Sequence, residues 1–314
     1  MPTVEVIINA CSGAAAKEDT RSLLSDLFGA RGIETHISLA NTGAEVVDLA
    51  QRAVSGNAEI IVAGGGDGTI NAVASEVVSV NKTLGILPLG TLNHFAKDLH
   101  IPLDVEAAVR TIIAGYAVQV DVGEVNDRIF LNNSSLGLYP RIVRHRERQQ
   151  RLGVGKWPAY LWAGLAVLRR YPFVDVRLIV DGEVFFTRTP FVFIGNNVYE
   201  MEGFNVGTRA RVDAGVLSLY VTNSIGRFGL LRLALRVLLG RLRDAGDLET
   251  MTTNETRVET RRRLVRVATD GEVALMPSPL HYRIRPGALR VLVPKTPNRP
   301  SEEGISDAKA CASL

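Results

Sequence analysis

The sequence predicts an α/β protein: a three-layer α/β domain followed by a β-sandwich domain with helical insertions. Three observations carry this expectation. Strand-like and helix-like runs alternate through the first third of the chain, the pattern of βαβ units and a mostly parallel sheet. A glycine-rich turn, Gly64-Gly65-Gly66-Asp67-Gly68-Thr69, ends one of those strands. After about residue 117 the helical periodicity gives way to short β runs with hairpin signals. The 314-residue length suits two domains. We place them at 1–122 and 123–295, with a polar tail over 296–314 that carries Pro297 and Pro300 and reads as disordered.

The elements follow in order. Val4–Asn9 is a short β run, 17–30 a helix and 33–39 a strand. Residues 42–54 carry apolar side chains at helical spacing, with Asn41 or Thr42 as N-cap. Residues 60–63 form a buried strand feeding the glycine turn, 70–80 a helix and 84–89 another strand. In the second domain, 118–125 and 129–134 read as paired strands. Val174–Val180 and 184–189 flank Asp181-Gly182, a hairpin turn signal. Further strands are expected at 191–195, 216–222, 264–269, 273–276, 280–285 and 289–293, with helical insertions at 155–170 and 225–243.

Composition narrows the class. With 46% hydrophobic and 22% charged residues the chain is not wholly disordered. Its formal charge of +3 conceals a split. Residues 1–122 hold 7 Lys+Arg against 14 Asp+Glu, a net of −7. Residues 123–314 hold 29 against 19, a net of +10, and 26 of those cations are Arg. Two surfaces with different partners are expected, the basic one suited to phosphates or an anionic membrane. Cys11 and Cys311 are no disulfide framework, so a reducing, cytoplasmic setting is expected. The N-terminus reads as a first strand rather than a signal peptide. The longest uncharged apolar run, 157–168, is twelve residues, short of a membrane span.

The glycine turn is the most informative stretch. Its glycines let backbone N–H groups approach phosphate oxygens, and the following helix offers unpaired N–H groups and a positive dipole end. No G-K-[ST] follows, and G-x-G-x-x-G is not completed, so it is neither a P-loop nor the dinucleotide fingerprint. Asp67 beside phosphates requires a cation or a hydroxyl donor between them. A second loop, Pro88-Leu-Gly90-Thr91-Leu-Asn93-His94, again ends a strand and precedes helical sequence. Thr91 and Asn93 there either bind the ligand or cap the helix.

With both loops in view, the chain resembles the diacylglycerol kinase catalytic-domain family, which includes bacterial soluble lipid kinases, sphingosine kinases and ceramide kinases. The resemblance rests on Asn9-Ala-Cys-Ser-Gly13, Thr42, Gly65-Gly-Asp-Gly-Thr69, Pro88-Leu-Gly-Thr91 with Asn93, and Asp270-Gly-Glu272, in that order over residues 3–294. It implies a nucleotide-binding α/β domain and a β-sandwich with the active site between them. It further implies that Asn9, Thr42, Gly65, Gly66, Asp67, Gly68, Thr69, Asn71, Gly90 and Thr91 bind ATP, with Mg²⁺ at Asp67. Asp270 and Glu272 then supply the carboxylates for the acceptor hydroxyl and the metal-bound phosphate. His94 stands where relatives often have Asp. Ala214 replaces the second acid of a D-D-G segment that holds a structural Mg²⁺, leaving Asp213 alone as a weak candidate ligand.

Asp-Gly between β runs is also a common hairpin signal, and Asp181-Gly-Glu183 is the same tripeptide as Asp270-Gly-Glu272. Place in the motif order favours the second copy, and the division of roles between Asp270 and Glu272 stays open. The basic segments at 156–170 and 225–243 suit an anionic surface or, equally, the sandwich itself. The Arg cluster at 141–151 reads mainly as a solvated helix face, and Arg261-Arg-Arg263 as a turn. The expected function is ATP- and Mg²⁺-dependent phosphorylation of a lipid hydroxyl, diacylglycerol first, at the inner face of a membrane, with a homodimer possible. The competing expectations are a sphingoid-base or ceramide kinase, an NAD-kinase-like enzyme and a non-catalytic sensor. Nucleic acid is not an expected partner, since no recognisable motif supports it.

Overall fold

The computed structural model describes residues 3–12, 17–137, 173–200, 208–222 and 248–295. The insertions expected at 155–170 and 225–243, the cluster at 141–151 and the tail lie outside the described residues.

The first part runs β1 (Val4–Asn9), α1 (Lys17–Gly29), β2 (Thr35–Ala40), α2 (Gly43–Ser55), β3 (Ile60–Gly65), α3 (Asp67–Val77), β4 (Thr83–Pro88), α4 (His94–Asp98) and α5 (Val105–Ala114). The strands lie in the order β2-β1-β3-β4, all parallel. The central strands β3 and β4 are buried nearly throughout, as strands covered on both faces require: they carry Ile61, Val62, Leu84, Ile86 and Leu87, each at most 1% exposed, while the edge strand β2 is only partly buried. Helices α2 and α3 pack together, and so do α1 and α5. Thr42 caps α2, its Oγ1 accepting from Glu45 N at 3.2 Å. Asp104 does the same for α5, which the sequence reading did not include, accepting from Ala107 N at 2.9 Å.

The second part holds β5 (Tyr116–Val125), β6 (Arg128–Phe130), β7 (Asn133–Gly137), β8 (Val174–Val180), β9 (Glu183–Thr189), β10 (Phe191–Asn196), β11 (Leu217–Thr222), β12 (Leu248–Thr253), β13 (Glu255–Thr260), β14 (Leu264–Thr269), β15 (Glu272–Pro277) and β16 (Leu280–Val293). Six of them form an antiparallel sheet, β12-β11-β10-β7-β14-β15. The others extend the first sheet beyond β4 in the order β16-β13-β8-β9, with β5 attached to β16 and β6 to β5.

Strand β16 is the joint of the molecule. Its last residues pair in parallel with β4, its first residues pair antiparallel with β13, and β5 runs along its other edge. The expected strands at 280–285 and 289–293 are therefore one element. A register shift between Arg285 and Leu289, with Gly287 at φ 58, bends it rather than breaking it.

The expected single strand at 129–134 is instead two, β6 and β7. Leu131 and Asn132 leave the ladder because their N–H groups turn to the Asp270 carboxylate. Strands β12 and β13, absent from the sequence reading, complete the two sheets.

A second core lies between the sheets. Val176, Leu178, Val258, Leu280 and Tyr282 from one meet Leu136, Val192, Ile194, Leu219 and Val267 from the other. Tyr282 is fully buried, its hydroxyl 3.0 Å from Ser134 Oγ, and burial drives its pKa upward.

Candidate functional site

The glycine turn and the second loop lie side by side at the carboxyl ends of β3 and β4, where ligands of such sheets bind. Their backbones touch. A Cβ on Gly90 would stand 2.4 Å from Gly66 Cα, and one on Gly65 would stand 2.5 Å from Thr69 Cβ. Leu89 N donates to Gly65 O at 3.0 Å, fastening one loop to the other. Asn93 takes φ 51 and folds its amide back onto its own loop: Oδ1 accepts from Gly90 N, and Nδ2 donates to Pro88 O and Gly90 O. Asn93 makes no side-chain cap of α4, contrary to one of the two expectations for it, because its polar atoms are spent on the turn.

A cleft of about 800 Å³ opens over this platform. Its α/β-side wall includes Asn9, Gly66, Gly68, Thr69 and Asn71, and its sandwich-side wall includes Arg128, Glu272 and Arg285. Helix α3 begins at Asp67, directly on the turn and three residues earlier than expected, so its N-terminal N–H groups belong to the cleft floor. Asn9 Nδ2 donates to Thr69 Oγ1 at 3.0 Å. Asn71 is 6% exposed and its Oδ1 is buried without a hydrogen-bond partner, an acceptor left for a ligand donor.

The remaining expected residues fall as follows. Gly65 and Gly90 shape the platform from behind. Thr42 caps α2, and its neighbours Gly43 and Ala44 reach the cleft wall. Thr91 is exposed and lies outside the wall. Asp67 Oδ1 accepts from Phe95 N at 3.2 Å, which joins α3 to α4.

The two Asp-Gly-Glu copies have the same backbone and different surroundings. Asp181 and Gly182 take φ 50 and 84, Asp270 and Gly271 φ 48 and 87. Asp181 merely accepts from Thr253 Oγ1, and Glu183 is exposed. Asp270 instead accepts three backbone N–H groups, from Leu131 at 2.7 Å, Asn132 at 2.8 Å and Asn133 at 3.0 Å. Burial pushes its pKa up to about 6, against the opposing pull of those donors and of Arg209. Glu272 projects into the cleft. Its Oε1 lies 3.5 Å from where a Gly68 Cβ would be, and its Oε2 is 2.6 Å from Arg128 Nη2. The sandwich thus brings a carboxylate against the N-terminal turn of α3.

Arg209 supports this arrangement and escaped the sequence reading. Its guanidinium donates to Asp98 Oδ2, Leu131 O, Asn196 O and Asn132 Oδ1. It also stands over the rings of Phe95 and Tyr199. Burial pushes the Tyr199 hydroxyl to about 12. Arg128 and Arg285 also went unmarked, because an Arg in a β-hairpin carries no signal until the strands are paired.

A divalent cation carried by phosphates needs only one or two protein carboxylates, and Asp67, between the cleft-lining Gly66 and Gly68, would be one. No group of three or more His, Cys, Asp or Glu residues among the described residues could cage a metal. The structural metal expected at Asp213 does not fit. Asp213 is exposed and paired with Arg211 at 3.0 Å, and Ala214 offers only its N–H, to Asn197 Oδ1. The nearby backbone is held by Asp121, which accepts from Gly215 N at 2.6 Å and Gly287 N at 2.8 Å.

Comparison with known proteins gives the family of the chain. Residues 3–125 match the model of the diacylglycerol kinase catalytic domain, and residues 136–293 match the YegS C-terminal NAD kinase beta sandwich-like domain. A Staphylococcus carnosus diacylglycerol kinase is 32% identical over 193 residues, 60% of this chain and 62% of that protein. A Staphylococcus aureus diacylglycerol kinase is 31% identical over 222 residues, 69% of each chain. The structure of a candidate diacylglycerol kinase from Bacillus anthracis superposes with a TM-score of 0.75 at 22% identity, covering 93% of this chain and 95% of that one, which shows the shared fold. With its two halves matched in order and more than two thirds of a relative aligned, the chain belongs to the diacylglycerol kinase catalytic-domain family.

Proposed function

We propose that the protein is a lipid kinase that transfers the γ-phosphoryl group of ATP to a lipid hydroxyl, with diacylglycerol as the acceptor. The observation that carries this reading is the approach of Glu272 Oε1 to the Gly68 turn. It sets the sandwich carboxylates against a phosphate-binding helix terminus across one cleft. The relatives named above support the acceptor class.

In this reading Gly66, Gly68 and Thr69 hold phosphates through backbone N–H groups, with Gly65 and Gly90 allowing the close approach. Asn9 orients the Thr69 hydroxyl, and the unpaired Asn71 Oδ1 takes a donor of the nucleoside. Asp67 would hold a divalent cation, which would neutralise charge on the phosphates. Asp270 is the base that takes the acceptor proton: its pKa near 6 suits proton transfer near neutrality, and its Oδ2 receives a single N–H. Glu272 is instead engaged by Arg128, 2.6 Å away. Transfer is direct and in line, driven by positioning and charge neutralisation. The lipid is drawn from an anionic membrane surface, a reading supported by the excess of Arg in residues 123–314. No helix among the described residues is long and apolar enough to cross a membrane.

The test is labelled ATP with Mg²⁺ and vesicles carrying a panel of lipid alcohols, the product identified by mass. Phosphatidic acid is the expected product. ATP binding without transfer to any lipid would sink the enzyme reading in favour of a sensor.

A further inference from the structure

We infer that Arg128 grips the terminal phosphate of the bound nucleotide from the sandwich side of the cleft; the inference rests on the kinase reading above. Phosphates on the α3 turn would meet backbone N–H groups on one side, while the Glu272 carboxylate faces that turn from the other. A polyanion there needs a cation from the opposite wall.

Among the described residues the cleft wall offers two, Arg128 and Arg285. Arg285 is shared with Glu124, 3.4 Å away, which is also bound by Arg283. Arg209, the remaining guanidinium beside Asp270, is fully buried with its donors committed to four partners. Arg128 differs from both. Its side chain is 38% exposed, and among the described residues its hydrogen-bond partner is Glu272 alone, at 2.6 Å. Most of its five donors are therefore free for a planar, two-pronged grip on phosphate oxygens.

Its backbone is held in advance. The preceding turn residues Asn126 and Asp127 take φ 44 and 64. Asn126 is tied to the neighbouring strands through Pro277 O at 3.0 Å and His281 N at 2.8 Å. The guanidinium is thus presented rather than loosely tethered, and Glu272 holds it at the edge of the α3 turn. Because Glu272 is two residues from Asp270, the phosphate nearest Arg128 is the one nearest the acceptor, namely the one transferred.

The test is calorimetric titration of ATP and of ADP, each with Mg²⁺ and without lipid, into wild type, Arg128→Ala and Arg128→Lys. Loss of a charge-assisted contact to the terminal phosphate should weaken ATP binding on the order of 10- to 100-fold in Arg128→Ala and ADP binding by less than about 3-fold. Arg128→Lys, which keeps the charge but loses the fork, should fall between. An ion pair this exposed contributes little to folding, so melting temperatures should match wild type; should Arg128→Ala not fold, Arg128→Lys carries the comparison. Equal weakening of ATP and ADP, or no weakening of either, would overturn the assignment while leaving the kinase reading intact. A wild type that binds neither nucleotide overturns the kinase reading itself, and this assignment with it.

Discussion

Arg209 Nε donates to Asp98 Oδ2 at 2.7 Å, and the two side chains are 0% and 6% exposed. Asp98 ends the short helix behind the second loop. Arg209 belongs to the sandwich half and holds the Leu131–Asn132 segment whose N–H groups grip Asp270. Helix α4 also donates Phe95 N to Asp67. One connected set of hydrogen bonds therefore links Asp67 at the start of α3 to Asp270 in the sandwich.

Breaking that pair leaves a buried charge without its partner. Asp98→Ala and Arg209→Met should each destabilise the fold by about 3–5 kcal/mol. The double variant Asp98→Leu/Arg209→Met should recover part of the loss, because no lone charge remains. Urea unfolding midpoints of the three variants check this. A double variant less stable than the sum of the singles would contradict the account.

The two Asp-Gly-Glu turns supply an internal control. Glu272→Gln should lower phosphoryl transfer by about 10²-fold or more, and Asp270→Asn by at least as much. Glu183→Gln should match wild type, since Glu183 is exposed on the first hairpin. Initial rates under saturating ATP and lipid decide the matter. Loss of activity in Glu183→Gln with retention in Glu272→Gln would reverse the assignment.

The raised pKa of Asp270 has consequences of opposite sign for stability and rate. The folded protein binds this proton more tightly than the unfolded chain, about 6 against 3.8. Its contribution to stability is greatest below about pH 4 and declines as pH rises to about 6, a loss on the order of 2 kcal/mol. Asp270→Asn should lack that decline in unfolding free energy measured across pH 4 to 7. The transfer rate should instead rise with pH through an apparent pKa near 6, as the base is freed.

The contact between Gly66 and Gly90 leaves no room for a side chain. Gly90→Ala, with its Cβ 2.4 Å from Gly66 Cα and 2.8 Å from Asn93 Oδ1, should force the two loops apart. We expect a loss of about 1–3 kcal/mol in stability and a larger proportional loss of ATP affinity. Gly182→Ala is the contrast: nothing lies within 4 Å of its Cβ position, and its φ of 84 makes the penalty local to the turn. Nucleotide titration should show normal ATP affinity in Gly182→Ala.

Patterns local in sequence were readable without the structure. The strand–turn–helix of residues 60–77 announces itself because glycines, an acid and an apolar run adjoin one another. Thr42 as an N-cap and Asp181-Gly182 as a hairpin turn are equally local. The break between β6 and β7 was not legible, since 129–134 is a continuous β-like run until Asp270, far along the chain, draws off two of its N–H groups. Nor was the unity of β16, where a bulge at Pro286-Gly287 resembles an end.

What the sequence determined by itself is the class of the fold and the glycine platform. Each depends on residue types within a few positions of one another and on backbone rules that act at that range. Tertiary structure alone decided how the two Asp-Gly-Glu copies differ, which cations face the cleft, and that Asp98 and Arg209 join its walls. Those outcomes depend on strands from distant parts of the chain pairing in one register. That pairing places Glu272 over Gly68 and leaves Glu183, with the same neighbours in sequence, facing water.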